Sequence, residues 1–357
     1  MTNSNSTIQR ALNLVHSDAR AVLSDRTELL KGLRGKNLFI TGGTGFLGTW
    51  IMELIRVLNE DYEFNTNITV YGRNCQKFVC RWPHLANLSW VRFQEGDIRY
   101  LVDIPKETNY VIHAAALQDR RLYNSQPTIV AETNSIGTAR VLKACLLLES
   151  LEKFLLLSSC LVYGTQSWDI DSIREDYAGP LRCDQVKSVY PESKRMAEIF
   201  VHSALSESKL PLVVVRPFAF VGPYQSMQLP WAVTEFIRDS SKGGPIRIMG
   251  DGLTVRSILY ASDFAFTVLA GLVQGKAGAT YNIGSPEPVE LLKLASLITQ
   301  FFKPVPEILT RVGQVGLERN RLVPNMDLAT AEIGFRMTVP LIAALQKTID
   351  WHGLVDF

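Results

Sequence analysis

The stretch Asn37-Leu38-Phe39-Ile40-Thr41-Gly42-Gly43-Thr44-Gly45-Phe46-Leu47-Gly48 passes from a short apolar run through a glycine-rich turn into a helical pattern that continues to about Leu58. Glycines let a backbone turn tightly and approach a phosphate closely. The helix N-terminus beyond them offers unpaired N–H groups and the positive end of its dipole. A glycine triplet alone could be an ordinary turn. Its place between strand and helix favours a cradle for a dinucleotide pyrophosphate, built by Gly42-x-x-Gly45-x-x-Gly48.

The same alternation repeats outward from this turn. Ile68-Thr69-Val70-Tyr71, Trp90-Val91-Arg92-Phe93, Tyr110-Val111-Ile112, Phe154-Leu155-Leu156-Leu157 and Leu212-Val213-Val214-Val215 are short apolar runs, with helix-like segments between several of them, notably 128–149 and 190–207. Continuous apolar strands alternating with helices predict an α/β fold, a doubly wound parallel sheet covered on both faces. Ahead of it, Leu12, Val15, Val22, Leu23, Leu30 and Leu33 recur at helical intervals and predict one or two amphipathic helices packed on the body. Past Gly222-Pro223 the punctuation thickens, at Gly243-Gly244-Pro245, Gly250-Asp251-Gly252 and Gly284-Ser285-Pro286. The expected division is an N-terminal helical extension (1–34), a dinucleotide-binding domain (35–220) and a smaller mixed α/β substrate-binding region (221–357). The chain is expected to cross back to the first domain near 255–285.

Composition narrows the function. The 357 residues are 46% hydrophobic and 20% charged, which reads as a soluble globular chain with a real core. Lys plus Arg number 37 against 35 Asp plus Glu, a net charge of +2 that gives no electrostatic case for nucleic acid or a membrane surface. No apolar stretch has the length of a membrane span, and the first ten residues lack a signal-peptide core. The five cysteines form no C-x-x-C pair and histidine is scarce, so no metal site is expected and a reduced, cytoplasmic setting is.

Two further places carry chemistry. The second strand ends in Gly72-Arg73 with no carboxylate at its tip. An acidic residue there would bond the ribose 2′-hydroxyl of NAD, whereas Arg73 can accommodate a 2′-phosphate and tilts the choice toward NADP. Tyr190-Pro191-Glu192-Ser193-Lys194 sets a phenol and an ammonium four residues apart, on one face if the segment is helical. A cation beside a phenol favours the phenolate, and a tyrosine so tuned can exchange a proton with a sugar hydroxyl or a ketone. The strand run 154–157 ends in Ser158-Ser159, where a hydroxyl could bond the reacting oxygen.

Together these residues resemble the extended short-chain dehydrogenase/reductases, in particular the NAD(P)-dependent nucleotide-sugar epimerase/dehydratase branch. The matching elements run in order over roughly 36–350: the glycine turn, Gly96-Asp97-Ile98, His113-Ala114-Ala115-Ala116, Asn134-x-x-Gly137-Thr138 and Ser158-Ser159 through Tyr163-Gly164. Tyr190-x-x-x-Lys194, Arg216-Pro217-Phe218, Val221-Gly222-Pro223, Gly250-Asp251-Gly252 through Arg256 and Tyr281-Asn282-Ile283-Gly284 follow. The resemblance implies a Rossmann-type fold. It implies that Gly42, Thr44, Gly45, Phe46, Leu47 and Gly48 hold the pyrophosphate, that Asp97 and Ile98 flank the adenine, and that Ala114, Ala115 and Phe218 lie near the cofactor. It gives Ser159, Tyr190 and Lys194 the catalytic roles, with Lys194 bonding the nicotinamide ribose and lowering the Tyr190 pKa. Asn134 would support the active-site helix. Arg256, and more loosely Arg321, would contact the substrate diphosphate.

The departures select among activities. Dehydratases of this branch carry an Asp-Glu pair just after the catalytic Ser/Thr, where this chain has Cys160-Leu161, and the decarboxylases place a Glu where Leu161 stands. A sugar-contacting Asn of many relatives is replaced by Ala219. The resemblance therefore implies first a C4 epimerase of a nucleotide-activated hexose working through a transient 4-keto sugar. An NADPH-dependent reductase of a 4-keto sugar nucleotide and a non-catalytic nucleotide-binding scaffold remain as alternatives. It also implies a homodimer through two helices, since 134–148 (Ile136, Val141, Leu142, Cys145, Leu146, Leu148) and 190–205 (Met196, Ile199, Phe200, Val201, Leu205) carry more apolar positions than one buried face requires.

Overall fold

A computed structural model describes residues 2–208, 210–311 and 320–355. Seven parallel strands form the central sheet: β1 (Asn37–Thr41), β2 (Asn67–Gly72), β3 (Val91–Glu95), β4 (Tyr110–His113), β5 (Lys153–Leu157), β6 (Leu212–Pro217) and β7 (Thr280–Ile283). Their order is β3-β2-β1-β4-β5-β6-β7, a doubly wound Rossmann-type arrangement that reverses direction between β1 and β4.

The continuous apolar runs have their reason in this sheet. Leu38 and Ile40 of β1, Leu155 of β5, and Val213 and Val215 of β6 point into one core. Phe39, Phe154, Leu156, Leu212 and Val214 point into the other. Successive side chains of a strand face opposite ways, so a sheet buried on both sides needs apolar residues at every position. The first core is covered by the helices α1 (Thr2–Leu23), α2 (Phe46–Tyr62) and α3 (Ala261–Gln274), the second by Ile136–Cys145 and Val189–Ser208.

Six of the seven strands follow the sequence expectation. The seventh, β7, comes from the Tyr281-Asn282-Ile283 motif and pairs with β6. The segment expected as one helix over 128–149 is two, Pro127–Asn134 and Ile136–Cys145. The break falls at Ser135, whose hydroxyl bonds back to the Ala131 carbonyl at 2.6 Å and competes with the helical ladder. Helix α2 runs one turn past Leu58 and stops where Glu63 turns left-handed at φ 55°.

The N-terminal extension is part of the body. Val15, Val22, Leu23, Leu30 and Leu33 are buried, and Leu12 is half-buried. Asp18 accepts hydrogen bonds from the Tyr260 hydroxyl and the Lys347 ammonium, both at 2.6 Å. Arg26 donates to the Gly334 carbonyl at 2.9 Å and lies 3.7 Å over the Phe266 ring. Beside the main sheet, Val255–Tyr260 collects Ala219–Val221, Pro288–Glu290 and Arg321–Leu322 into a small mixed sheet, and Ile246–Ile248 pairs with Ile308–Thr310. No helix among the described residues is long and apolar enough to cross a membrane.

Candidate active site

The C-terminal ends of β1, β2, β4, β5 and β6 open into one cleft of about 820 Å³, roofed by residues 217–233 and the Arg256 strand. Its cofactor side starts at Gly42. There φ is +68°, and a Cβ would stand 2.8 Å from the Ala115 backbone, so the turn can lie against the end of β4 only as glycine. Gly45 caps α2 without any side chain to satisfy the first-turn N–H groups, which leaves them for an anion. Gly48 acts differently from the expectation: it does not line the cleft, and a Cβ there would meet the Gly43 carbonyl at 2.2 Å. Its part is to let α2 pack on the turn.

Of the residues expected to bind the cofactor, Thr44, Phe46, Leu47, Arg73, Asp97, Ile98, Ala114, Ala115 and Phe218 all line this same cleft. Arg73 stands exposed at the rim. The Asp97 carboxylate is gripped by the Arg99 guanidinium, with its shortest contact at 2.7 Å, which holds it below the usual carboxylate range. A glycine turn that a Cβ would fill, an uncapped helix start and an arginine at the rim fit a dinucleotide.

Behind the turn runs a buried relay. The Ala115 N–H donates to the Thr41 hydroxyl at 3.2 Å, and that hydroxyl donates to His113 Nδ1 at 2.7 Å. His113 Nε2 lies 3.0 Å from the Thr138 hydroxyl, which donates to the Asn134 carbonyl at 2.6 Å. Thr138 spends its one proton on that carbonyl, so it accepts from His113, and the imidazole is the neutral Nε2–H tautomer. Burial, with the Lys194 charge nearby, pushes His113 down to about 3.

On the reaction side, Ser159 follows β5, and Tyr190 and Lys194 lie one turn apart on the Val189–Ser208 helix; all three line the cleft. The Ser159 hydroxyl accepts from the Leu161 N–H at 3.2 Å. Tyr190 is 5% exposed; burial raises its pKa, and the Ser159 hydroxyl draws it the other way by hydrogen bonding. Lys194 donates to the Leu157 carbonyl at 2.7 Å, and burial pushes it down to about 8. The resemblance implied that Lys194 eases Tyr190 ionisation; in the structure its ammonium is turned onto the strand end, and the group whose hydrogen bond opposes the burial-driven rise in the Tyr190 pKa is Ser159. Cys160 is pushed up to about 12 by burial and stays a thiol, and Leu161 packs against the apolar cluster of Leu117, Tyr123, Val130 and Tyr190.

The two arginines expected at the diphosphate part company. Arg256 lines the cleft, bonds only the Val255 and Asn320 carbonyls (2.8 and 3.2 Å), and has no carboxylate partner among the described residues. Arg321 does not line the cleft; its guanidinium holds the Asp171 carbonyl at 2.9 Å. Sequence reasoning missed a second network. Glu198 takes the Ser158 hydroxyl and a forked bond from Arg216 (3.0 and 2.7 Å). Arg216 lies 4.7 Å over the Tyr163 ring, whose hydroxyl reaches Asn282 at 2.6 Å. The Arg216 and Asn282 motifs carried a signal; Glu198 carried none. Among the described residues no group of His, Cys, Asp and Glu could hold a metal ion.

This fold and cleft define a dinucleotide-binding α/β enzyme. Residues 38–284 match the model of the NAD dependent epimerase/dehydratase family, and the chain belongs to that family. It is 28% identical over 333 residues to dTDP-D-glucose 4,6-dehydratase of Homo sapiens, covering 90% of this chain and 91% of that one. It is 25% identical over 316 residues to UDP-glucuronic acid decarboxylase 1 of Xenopus tropicalis, covering 88% and 72%. In fold it is similar to UDP-glucuronic acid 4-epimerase from Bacillus cereus, solved with UDP-glucuronic acid and NAD (TM-score 0.75, 23% identity, 88% of this chain and 98% of that one).

The relay has a consequence for stability. An unfolded histidine binds its proton near 6.5, whereas folded His113 does so only near 3. Between those values the unfolded chain holds the extra proton. The contribution of His113 is thus whole above pH 6.5 and is lost as pH falls toward 3, by at most about 1.4 kcal/mol per pH unit. Urea unfolding over that range is expected to give a shallower pH slope for His113→Gln than for the wild type; equal slopes would contradict the neutral assignment.

Proposed function

We propose that the protein is a nucleotide-sugar C4 epimerase that works through a transient 4-keto sugar. The observation that carries this reading is the cleft wall Ser159-Cys160-Leu161 facing Tyr190: the proton-exchange set is present, and the acidic pair that elimination or decarboxylation would use is replaced by a half-buried thiol and a leucine. The sequence relatives include a dehydratase and a decarboxylase, and the proposal departs from both at these two positions. The dinucleotide, when bound, supplies the redox half of the reaction by accepting and returning hydride at the sugar carbon. It would lie along Gly42, Gly45, Phe46 and Leu47, with Ala114, Ala115 and Phe218 beside it.

The chain's own residues supply the rest. Tyr190 takes the C4 hydroxyl proton and later returns it, with the Ser159 hydroxyl bonding the same oxygen. Lys194, which lines the cleft while its ammonium donates to the Leu157 carbonyl, would bond the ribose with a remaining N–H. Arg256, with no acidic partner among the described residues, offers its charge to the diphosphate, which anchors the substrate while the sugar turns. Incubation with a panel of sugar nucleotides, read by NMR, is expected to yield a C4 epimer without added reductant. Tyr190→Phe is expected to lower kcat by about 100-fold or more and to leave cofactor affinity intact. Product formed only with stoichiometric NADPH would replace the epimerase by the reductase.

That second reading rests on Arg73, an exposed guanidinium at the end of a strand with no carboxylate tip. We propose NADP over NAD on this ground. Arg73→Ala is expected to weaken NADP binding about tenfold to a hundredfold and to leave NAD binding unchanged; equal effects on both would remove the 2′-phosphate contact. A cytoplasmic setting belongs to the same proposal, in keeping with five free thiols.

We further propose a homodimer. Val141, Leu142, Cys145 and Val201 are buried, whereas Ile136, Leu146, Leu147, Met196 and Ile199 of the same two segments stay exposed, Leu147 at 77% and Ile199 at 55%. An apolar face of this kind on adjacent helices suits a two-fold contact, in which one substitution acts twice. Ile199→Glu is expected to sediment as a monomer at micromolar concentration, where the wild type sediments as a dimer.

A further inference from the structure

Tyr123 stands outside every motif named above, yet it lies closer to the reacting phenol than most of them. Its ring stacks on the Tyr190 ring with centroids 5.3 Å apart and planes 15° from parallel. It is 7% exposed, lines the cleft, and shares a small apolar cluster with Leu117, Val130 and Tyr190. Its hydroxyl is spent on the Gln118 carbonyl at 3.2 Å.

One side chain holds both halves of this stack. Asn134 accepts from the Leu117 N–H at 3.2 Å, which fixes the segment leading into Tyr123. Its amide N–H donates to the Ser193 hydroxyl at 3.0 Å, and Ser193 donates to the Tyr190 carbonyl at 2.9 Å. The short helix that carries Tyr123, Arg120–Ser125, begins at Asp119, whose carboxylate accepts from the Arg121 N–H at 3.0 Å. With the backbone leading into it held at Leu117 by Asn134 and at Arg121 by Asp119, and its hydroxyl held by the Gln118 carbonyl, the Tyr123 ring has little freedom to leave its partner.

We propose that Tyr123 is a positioning residue for the reaction: its ring covers one face of the Tyr190 phenol, fixes the orientation of that ring, and keeps water from that face. This rests on Tyr190 as the acid/base of the proposed function. Parallel rings resist sliding, so the phenol oxygen keeps its aim toward Ser159 and the open cleft. A displacement of about 1 Å in such a group costs about 100-fold in rate. The stack also contributes to the burial that holds the Tyr190 proton. The titratable groups facing Tyr190 are Tyr123 from its own short helix and Cys160 from the segment after β5, with Lys194 one turn on along the Tyr190 helix. Among these Tyr123 is the one that shields a ring face.

The test uses Tyr123→Phe, Tyr123→Ala and Tyr123→Leu in the full chain, with Tyr190→Phe as reference. Tyr123→Phe keeps the ring and is expected to stay within about twofold of wild type in kcat and KM. Tyr123→Ala is expected to lose about tenfold to a hundredfold in kcat, with KM for the sugar nucleotide and the affinity for NAD little changed. Tyr123→Leu fills the space without a planar ring; it is expected to match Tyr123→Ala, and it carries the test if the alanine variant does not fold. A readout free of turnover is tyrosinate absorbance, taken as the difference with and without Tyr190→Phe. Water reaching the uncovered face favours the phenolate, so the Tyr190 ionisation is expected at lower pH in Tyr123→Ala and unchanged in Tyr123→Phe. An alanine variant with wild-type kcat and titration, or a phenylalanine variant as impaired as alanine, would overturn the proposal alone. A Tyr190→Phe variant that keeps its activity would overturn the proposed function and this role with it.

Discussion

One unbroken line of buried hydrogen bonds joins the glycine turn after β1 to the helix that carries Tyr190. It begins at Thr41, the residue before Gly42, crosses His113 to Thr138, enters the Asn134 carbonyl, and leaves by the Asn134 amide through Ser193 to the Tyr190 backbone. Each hydroxyl has one proton to give, so the direction of every bond is set by its neighbours and no member can turn over alone. The ends of β1 and β4, the Pro127–Asn134 helix and the start of the Val189–Ser208 helix are therefore held in one geometry. The glycine turn and the Tyr190 phenol take their separation from this line.

A second line organises the opposite wall. Glu198 is a buried carboxylate that receives Ser158 from one side and Arg216 from the other, while Arg216 covers Tyr163. A buried charge needs such a full set of partners. Here the set also fixes the strand end from which Ser159 projects. Arg256, by contrast, has no carboxylate partner among the described residues, so it and Lys194 give the cleft positive charge.

The sheet was legible because its signals are local. A run such as Phe154-Leu155-Leu156-Leu157 is apolar throughout only if both faces are covered, and the Gly42, Gly45 and Gly48 spacing states a turn that a side chain would block. Tyr190 and Lys194 were legible from their spacing within one helix. What escaped depends on partners far apart in the chain. Lys194 turns to Leu157, 37 residues away, and Asn282 answers Tyr163 across 119 residues. Tyr123 belongs to none of the sequence motifs, because nothing nearby in sequence announces the ring it covers. Arg321 and Gly48 had the right residue type in a place whose orientation only the folded chain decides.

The docking of the first helix ties near and distant parts of the chain together. Thr2–Leu23 packs on α2, close by in sequence, yet its Asp18 meets the Tyr260 hydroxyl 242 residues on and the Lys347 ammonium 329 residues on. Its stripe of Val15, Val22 and Leu23 belongs to the core on one face of the sheet. Contacts of such sequence separation must meet the entropy of closing a long loop before they are repaid, so the seating of this helix against Leu341–Leu354 belongs to a later stage of folding than its seating on α2.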